Sequence, residues 1–179
     1  MAKLSPLAGW SGLSADGLQL AEIPFVQQVN LRMPAKGPAA DAVGVELGIP
    51  LPVEPNTVAR AGEVSVLWLG PDEWLVVGDC DESRLREAVG TEPASVVDVS
   101  AQRTTIRVAG TSSRDLLAHG CSLDLHPSRF PAGRCAQTML AQAPVILLPL
   151  AADDYRVLVR ASFAQYLADW LLDAAIEYR

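Results

Sequence analysis

Two histidines and two cysteines, side chains often used to bind metals, fall close together in the second half of this 179-residue chain. They are His119, Cys121, His126 and Cys135. Zinc sites use close pairs such as Cys-x2-4-Cys and His-x3-5-His, whereas the order here is His-x-Cys-x4-His-x8-Cys. We therefore expect ordinary structural roles for these side chains, and a zinc module is the weaker alternative.

The cysteines offer no obvious nucleophile. A reactive thiol requires a lowered pKa and a nearby base, and only the fold could bring a histidine to Cys135. We therefore predict that Cys135 is a small buried side chain. Cys80, Cys121 and Cys135 form no close pair, which favours free thiols in a reducing compartment.

The paired carboxylates stand where acidic residues cap turns or helices: Asp72–Glu73, Asp79 or Asp81 with Glu82, and Asp153–Asp154. The glycine-rich motifs that bind dinucleotides or nucleoside phosphates are absent, as is the Gly-x-Ser-x-Gly hydrolase turn. The sequence therefore predicts no catalytic residue, no cofactor-binding residue and no metal ligand in this chain.

Asp98 differs from the other acids because it leaves an apolar Val-Val-Asp-Val strand. We expect it to pair with Arg103 or Arg107, as buried acids usually do for structural reasons. The functional alternative is an acid that binds a pterin of the folate type.

The net charge of the chain argues against two classes of partner. The chain has 14 Lys and Arg against 21 Asp and Glu, a net charge of −7, so neither nucleic acid nor an anionic membrane surface is expected as a partner. The longest apolar run, residues 143–152, contains two prolines and falls short of the roughly 20 residues of a membrane span. No signal peptide is evident, and we expect a cytoplasmic protein.

Hydrophobic periodicity predicts alternating strands and helices. The predicted strands are Phe25–Arg32, Val64–Leu69, Trp74–Gly78, Ser95–Val99, Thr104–Val108, Gln137–Ala141, Val145–Leu148 and Tyr155–Val159. The predicted helices are Ala39–Leu47 before Gly48, Asp81–Val89 before Gly90, Thr111–Gly120, and a C-terminal helix capped by Ser162 with an apolar face formed by Phe163, Tyr166, Leu167, Trp170, Leu171, Ala174 and Ala175.

Two segments of the chain resemble each other. Asp72–Trp74 precedes a Val-Val pair much as Asp153–Tyr155 precedes Val157 and Leu158. We predict an α+β fold of antiparallel sheets with helices packed on one side and pseudo-duplicated strand–helix units. The predicted organisation is an N-terminal segment, residues 1–24, followed by a single α+β domain over residues 25–179.

The N-terminal segment has many large apolar residues among Gly, Ser and Pro. We predict that it is extended and wraps a surface, either its own or a partner's. The predicted interface residues are Leu7, Trp10, Leu13 and Ile23.

Five segments together resemble the gamma subunit of heterotetrameric sarcosine oxidase. They are Ser5–Leu7, Val29–Arg32, Leu67–Val76, Asp98–Arg103 and Gly120–Thr138, and they occur in the family's order across nearly the whole chain. Leu-Gly-Pro-Asp-Glu-Trp-Leu and Cys-Ala-Gln-Thr are the most recognisable motifs within them.

The resemblance implies a noncatalytic subunit with an aminomethyltransferase (folate-binding domain)-like fold that docks on the alpha subunit, in a complex with beta and delta. That complex oxidatively demethylates sarcosine to glycine and transfers the one-carbon unit to tetrahydrofolate. The resemblance assigns FAD, FMN, NAD, zinc and tetrahydrofolate to the partner subunits and none to this chain.

The alternative is a stand-alone folate-binding protein or aminomethyltransferase of the same fold. Repair-type proteins of that fold carry Lys-Gly-Cys-Tyr-x-Gly-Gln-Glu, which Gly133–Gln137 matches only in part. The second glycine and the glutamate are missing, so the noncatalytic subunit is preferred.

Overall fold

The computed structural model describes residues 4–178. Within that range the chain forms eleven β-strands and four α-helices. The strands are β1 (Leu13–Ala15), β2 (Leu18–Ile23), β3 (Gln28–Arg32), β4 (Val58–Ala61), β5 (Val64–Gly70), β6 (Glu73–Val77), β7 (Ser95–Asp98), β8 (Arg103–Ala109), β9 (Ala136–Leu140), β10 (Ala143–Ala151) and β11 (Asp154–Arg160). The helices are α1 (Pro38–Leu47), α2 (Glu82–Val89), α3 (Ser113–Ala118) and α4 (Ala161–Ala174).

The contacts divide the described residues into two compact units. Unit 1 comprises residues 4–25 together with residues 101–178, and unit 2 comprises residues 26–100. Residues 4–25 thus group with the second half of the chain, and the predicted domain of residues 25–179 is divided after residue 100.

Unit 2 is a five-stranded antiparallel sheet in the order β4-β5-β6-β3-β7. Alternate residues of its strands, such as Val29 and Leu31 on β3, point to one face and are at most 1% exposed. Both helices of the unit cover that same face, with Val43 of α1 and Leu85 of α2 in its core. The helices of unit 2 therefore lie on one side of the sheet.

The ends of α1 and α2 follow from their capping residues. Gly48 ends α1 in the left-handed conformation, with φ of 67°, which glycine adopts at little cost. The Asp81 carboxylate accepts a hydrogen bond from the Ser83 amide at 2.9 Å and begins α2, and Gly90 ends it. Both predicted helices are confirmed.

Unit 1 contains a six-stranded antiparallel sheet in the order β1-β2-β8-β11-β10-β9. Its core again lies on one face, where Leu20, Val108 and Tyr155 form a buried row across three strands. Helices α3 and α4 both contribute to that core, through residues such as Leu116 and Leu167. The predicted α+β class with antiparallel sheets and one-sided helices is confirmed.

The C-terminal helix differs from its prediction. Its N-cap is Arg160, and the helix already includes Ser162. Four side chains of the helix are buried, and two of them are alanines: Ala164, Leu167, Ala168 and Leu171. Phe163, Trp170 and Ala174 of the predicted face also pack against this core. Predicted face residue Tyr166 is instead 40% exposed, because small alanines let the helix approach the sheet along a neighbouring stripe. The N-cap of α3 is likewise Ser112, not Thr111.

The two units share one topology. Unit 2 runs β3-α1-β4-β5-β6-α2-β7, and unit 1 runs β8-α3-β9-β10-β11-α4, with its strands paired in the corresponding order. Strand β2 occupies beside β8 the place that β7 occupies beside β3. Strands β6 and β11, which carry the two similar sequence segments, are therefore equivalent, and the predicted duplication agrees with the topology.

The N-terminal segment forms two short strands, β1 and β2. Leu18 and Leu20 on β2 point to the core, and β2 pairs with β8. Leu7 is 2% exposed within the same core, and Trp10 and Leu13 pack against it. Leu7 therefore presents no free surface to a partner here, and the interface role of these residues stays a prediction. Residues 1–3 of the predicted segment lie outside the described range.

Leu7 and Leu4 allow a matched test of this packing. We expect Leu7→Ala to lower the free energy of unfolding by about 2–4 kcal/mol, because it leaves a cavity in the core of unit 1. Leu4, which is 80% exposed, serves as the control, and Leu4→Ala should change stability by less than about 0.5 kcal/mol. Urea unfolding curves of both variants provide the measurement. Equal effects would contradict the placement of Leu7 in this core.

Candidate functional site

The segment from Gly120 to Thr138 is an irregular loop between α3 and β9, held by its apolar side chains. Leu125 and Phe130 are at most 8% exposed and belong to the core of unit 1. Gly120 is the first residue of the loop. A Cβ atom at this position would lie 2.8 Å from the Trp170 ring of α4. Only glycine leaves enough room for the Trp170 ring, so Gly120 has a packing role in the Gly120–Thr138 segment.

The two histidines of this region bond to separate hydroxyl groups. The His119 Nε2 atom lies 2.9 Å from the Tyr178 hydroxyl, and the two rings meet edge to face. The His126 Nδ1 atom accepts a hydrogen bond from the Ser128 amide at 3.2 Å and lies 2.8 Å from its hydroxyl. Both histidines are exposed, and each has a hydrogen-bonding partner in its own neighbourhood.

Among residues 4–178, no group of three His, Cys, Asp or Glu side chains is arranged to hold a metal ion. Cys121 and Cys135 are buried at 8% and 1% exposure, whereas both histidines are on the surface. The four residues with metal-binding chemistry therefore do not form a single site in this structure.

The remaining cysteine, Cys80, lies in an environment that opposes thiolate formation. Burial and, to a smaller extent, the nearby carboxylates of Asp79, Asp98 and Asp81 together raise the pKa of its thiol to about 11. A nucleophilic cysteine requires the opposite shift. Cys80 is therefore an inert packing residue of unit 2.

Asp98 does not pair with Arg107, which was one of the two arginine partners expected from the sequence. The Asp98 carboxylate accepts hydrogen bonds from the Ser100 amide at 2.8 Å and the Ser100 hydroxyl at 2.5 Å. Arg107 instead bonds to Asp154 across strands β8 and β11, at 2.9 Å. Asp98 thus shapes the turn that follows β7, and its exposed side chain does not offer the enclosed acid that a buried pterin would need.

Arg107, Asp154 and Arg156 form a small ionic cluster on unit 1. Asp154 accepts from both arginines, at 2.9 Å and 2.8 Å, and this contact raises the pKa of the Arg107 guanidinium. The equivalent place in unit 2 holds Asn30, which donates to Glu73 at 2.9 Å. The two contacts have equivalent positions, which indicates the same structural role: each joins two neighbouring strands within its own unit.

Glu22 is a polar residue that the sequence analysis missed. Its carboxylate accepts hydrogen bonds from the Ser5 hydroxyl at 2.7 Å and the Thr104 hydroxyl at 2.6 Å. These bonds join residues before β2 to strand β8. The alternation of Leu18, Leu20 and Glu22 along β2 is the signal that could have predicted a strand carrying this acid.

Two surface depressions stand out, one in each unit. The depression of unit 2, of about 460 Å³, lies beside α1 and is mainly apolar. The depression of unit 1, of about 480 Å³, lies over one end of the six-stranded sheet and includes Arg103 and Arg160. The second combines charge with concavity, which makes it the stronger binding candidate of the two.

No helix in the described part of the chain is long and apolar enough to cross a membrane.

The fold places the chain in a known structural class. It is similar to the glycine cleavage system aminomethyltransferase T from Bartonella henselae, with a TM-score of 0.66 at 13% identity over 88% of this chain and 46% of that one. At such low identity the likeness concerns the fold alone. The predicted aminomethyltransferase-like fold is therefore confirmed.

The sequence comparisons define the family within that class. The model of the sarcosine oxidase gamma subunit family matches residues 32–177, and the chain belongs to that family. A sarcosine oxidase subunit gamma from Arthrobacter sp is 36% identical over 171 residues, covering 93% of this chain and 84% of the relative. The resemblance inferred from the five sequence segments is thereby confirmed.

A solved structure extends this similarity to three dimensions. A chain of the heterotetrameric sarcosine oxidase from Corynebacterium sp. U-96, in complex with pyrrole 2-carboxylate, superposes with a TM-score of 0.92 at 32% identity. The match covers 98% of this chain and 96% of that one.

The raised pKa of Cys80 predicts a specific pH dependence. Its thiol binds a proton more tightly in the folded protein than its ordinary value of 9.0 implies, so the resulting stability is complete below about pH 9. That stability is lost as the pH rises toward about 11. We expect wild-type protein to lose more stability between about pH 8 and pH 10.5 than Cys80→Ala does. Urea unfolding at the two pH values measures the difference, and identical losses would contradict the assignment.

Proposed function

We propose that this chain is the gamma subunit of a heterotetrameric sarcosine oxidase and that it docks on the alpha subunit without catalysing a reaction itself. In this proposal the complex oxidatively demethylates sarcosine to glycine and passes the one-carbon unit to tetrahydrofolate. FAD, FMN, NAD, zinc and tetrahydrofolate would bind to the partner subunits, and beta and delta complete the assembly. The observation that carries the proposal is the end-to-end similarity to a chain of such a heterotetramer.

The chemistry of the described side chains supports a noncatalytic role. Both histidines bond to neighbouring hydroxyl groups, the three cysteines are buried, Asp98 serves in a turn, and Asp154 serves in a cross-strand contact. A catalytic site needs a nucleophile or base directed at a substrate position, with its pKa matched to that task. The local hydrogen bonds of the histidines and the burial of the cysteines support structural roles for these side chains.

Phe25 supports the proposal of a docking surface. It is 63% exposed and has a φ of 58°, a left-handed conformation that is strained for a bulky residue. The predicted strand Phe25–Arg32 accordingly begins only at Gln28. Strained residues are retained mainly where function requires them, and exposed aromatic side chains are frequent anchors of protein interfaces. We assign Phe25 to the surface that meets the alpha subunit.

Co-purification tests the proposal directly. A tagged chain, expressed with the genes of its native cluster, should bring down flavin-containing polypeptides in equal stoichiometry. The same chain expressed alone should be colourless and should not oxidise sarcosine. Stoichiometric flavin in the isolated chain, or oxidase activity from it, would overturn the noncatalytic role.

The alternative function is a stand-alone folate-binding protein or aminomethyltransferase of the same fold. This chain spans only 46% of that enzyme. Calorimetric titration with tetrahydrofolate separates the two functions, since micromolar binding by the isolated chain would support the alternative.

Replacing Phe25 tests the docking surface. We expect Phe25→Gly to weaken the affinity for the alpha subunit at least tenfold, because it removes an aromatic anchor, without lowering the stability of the isolated chain. Glycine adopts the left-handed conformation freely, so the change relieves backbone strain. The control is Val45→Ala, at a position 83% exposed, which should leave affinity unchanged. Wild-type affinity in Phe25→Gly would exclude Phe25 from the interface.

A further inference from the structure

The outer edge of strand β7 differs from the equivalent edge of unit 1. Within residues 4–178, β7 is the last strand in the order β4-β5-β6-β3-β7, so no further strand pairs with its outer side. In unit 1 the corresponding place is held by β2, and β1 pairs with its outer side. A strand edge without a neighbour presents backbone donors and acceptors that can pair with another polypeptide. At this position the duplicated fold therefore leaves unit 2 with an edge that no strand covers.

The hydrogen-bonding pattern shows which backbone groups of β7 point to that edge. The Val99 amide donates to the Gln28 carbonyl at 2.8 Å, toward β3. Successive residues of a strand direct their backbone groups alternately to its two sides. Val97, two residues earlier and opposite Asn30, therefore also points its amide and carbonyl to β3. The amide and carbonyl of Val96 point outward.

The composition of this edge favours strand pairing. Strand β7 is Ser-Val-Val-Asp, with two β-branched apolar residues at its centre, and Val97 is 45% exposed. A depression of about 260 Å³ lies beside β7, and Val89, Ala94 and Val96 are among the residues that line it. The side chains of an added strand would find apolar contacts there. An edge of this kind promotes association unless something protects it.

Arg86 of helix α2 covers the outward carbonyl of β7. The Arg86 Nη2 atom donates to the Val96 carbonyl oxygen at 2.8 Å. The Arg86 guanidinium also pairs with Glu82, one turn earlier on α2, and this ion pair helps to hold the side chain in place. The Arg86 side chain is 64% exposed, so its charge remains in contact with water at the edge. A strand added to β7 would have to displace the guanidinium and remove its charge from water, which is costly.

The helix alone does not account for this contact. Arg86 lies in the last turn of α2, where a basic residue interacts favourably with the helix dipole, and it is four residues from Glu82. Neither effect requires a hydrogen bond to a neighbouring strand. Arg84, on the same helix, pairs with Glu46 of α1 at 2.8 Å instead. The bond to Val96 therefore distinguishes Arg86 from a second arginine that also forms an ion pair.

We propose that Arg86 prevents strand β7 from pairing with β7 of a second copy of this chain. Two such edges are self-complementary about a two-fold axis, because the outward amide and carbonyl of Val96 in one copy match those of the other. The duplicated fold protects its equivalent edges in two ways, with strand β1 in unit 1 and with the Arg86 side chain in unit 2. The inference concerns this chain alone and does not depend on the proposed docking role.

Sedimentation equilibrium of the full chain tests the proposal. We expect Arg86→Ala to lower the dissociation constant of self-association at least tenfold relative to the wild type, because it uncovers the Val96 carbonyl and removes the charge from the edge. The matched control is Arg84→Ala, which loses the same charge and an ion pair of the same helix but leaves Val96 covered. It should associate as the wild type does. Circular dichroism melting curves show that each variant is folded before it is compared.

Two further measurements identify the edge that pairs. Amide hydrogen exchange of Arg86→Ala should show stronger protection of the Val96 amide in the associated form than in the dilute monomer, since a new strand partner accepts its hydrogen bond. Val97→Lys, added to Arg86→Ala, should return self-association to the wild-type level. The four-residue strand brings the two lysines of a β7 pair close together, and like charges on an edge oppose pairing.

Three results would overturn the proposal. The first is equal self-association of the wild type and Arg86→Ala. The second is an equal increase in Arg84→Ala, which would assign the effect to the lost surface charge and not to the edge. The third is stronger association of Arg86→Ala without protection of the Val96 amide, because the contact would then lie elsewhere on the molecule.

Discussion

The pairing of strand β2 with strand β8 is the contact on which unit 1 depends. It places an N-terminal strand in the sheet beside a strand from the second half of the chain, with Leu20 opposite Val108 in the buried row. Without β2, the apolar face of β8 would lose a neighbour and its outer backbone groups would lack partners. Glu22 strengthens the same junction through Thr104. The sheet, its core and the helices that cover it all follow from this arrangement.

The duplicated topology explains why so many polar contacts are structural. Equivalent strands in the two units carry equivalent cross-strand contacts, Asn30 with Glu73 and Arg107 with Asp154. Glu73 and Asp154 therefore have the same structural role, which is to join neighbouring strands. The arginine-lined depression and the strained aromatic Phe25 are the features that sheet construction does not explain.

The regular elements were predictable where periodicity and caps agree. Helix α2 is an example, because Asp81 and Gly90 mark its ends and Leu85 its buried face. The strands of the N-terminal segment were missed because its glycines and prolines outweighed the strict alternation of β2. The depression could not be predicted, since Arg103 and Arg160 are distant in sequence and only the strand register brings them together.

The position of β2 also has a consequence for the order of folding during synthesis. Unit 2 is continuous in sequence, so it can form as soon as its last strand leaves the ribosome. The apolar strand β2 is made earlier, yet its partner β8 is made only after the whole of unit 2. Closing so long a loop carries an entropic cost and slows the pairing. During that interval the apolar side chains of β2 are exposed on the nascent chain. We therefore expect chaperones to bind this segment before β8 is made.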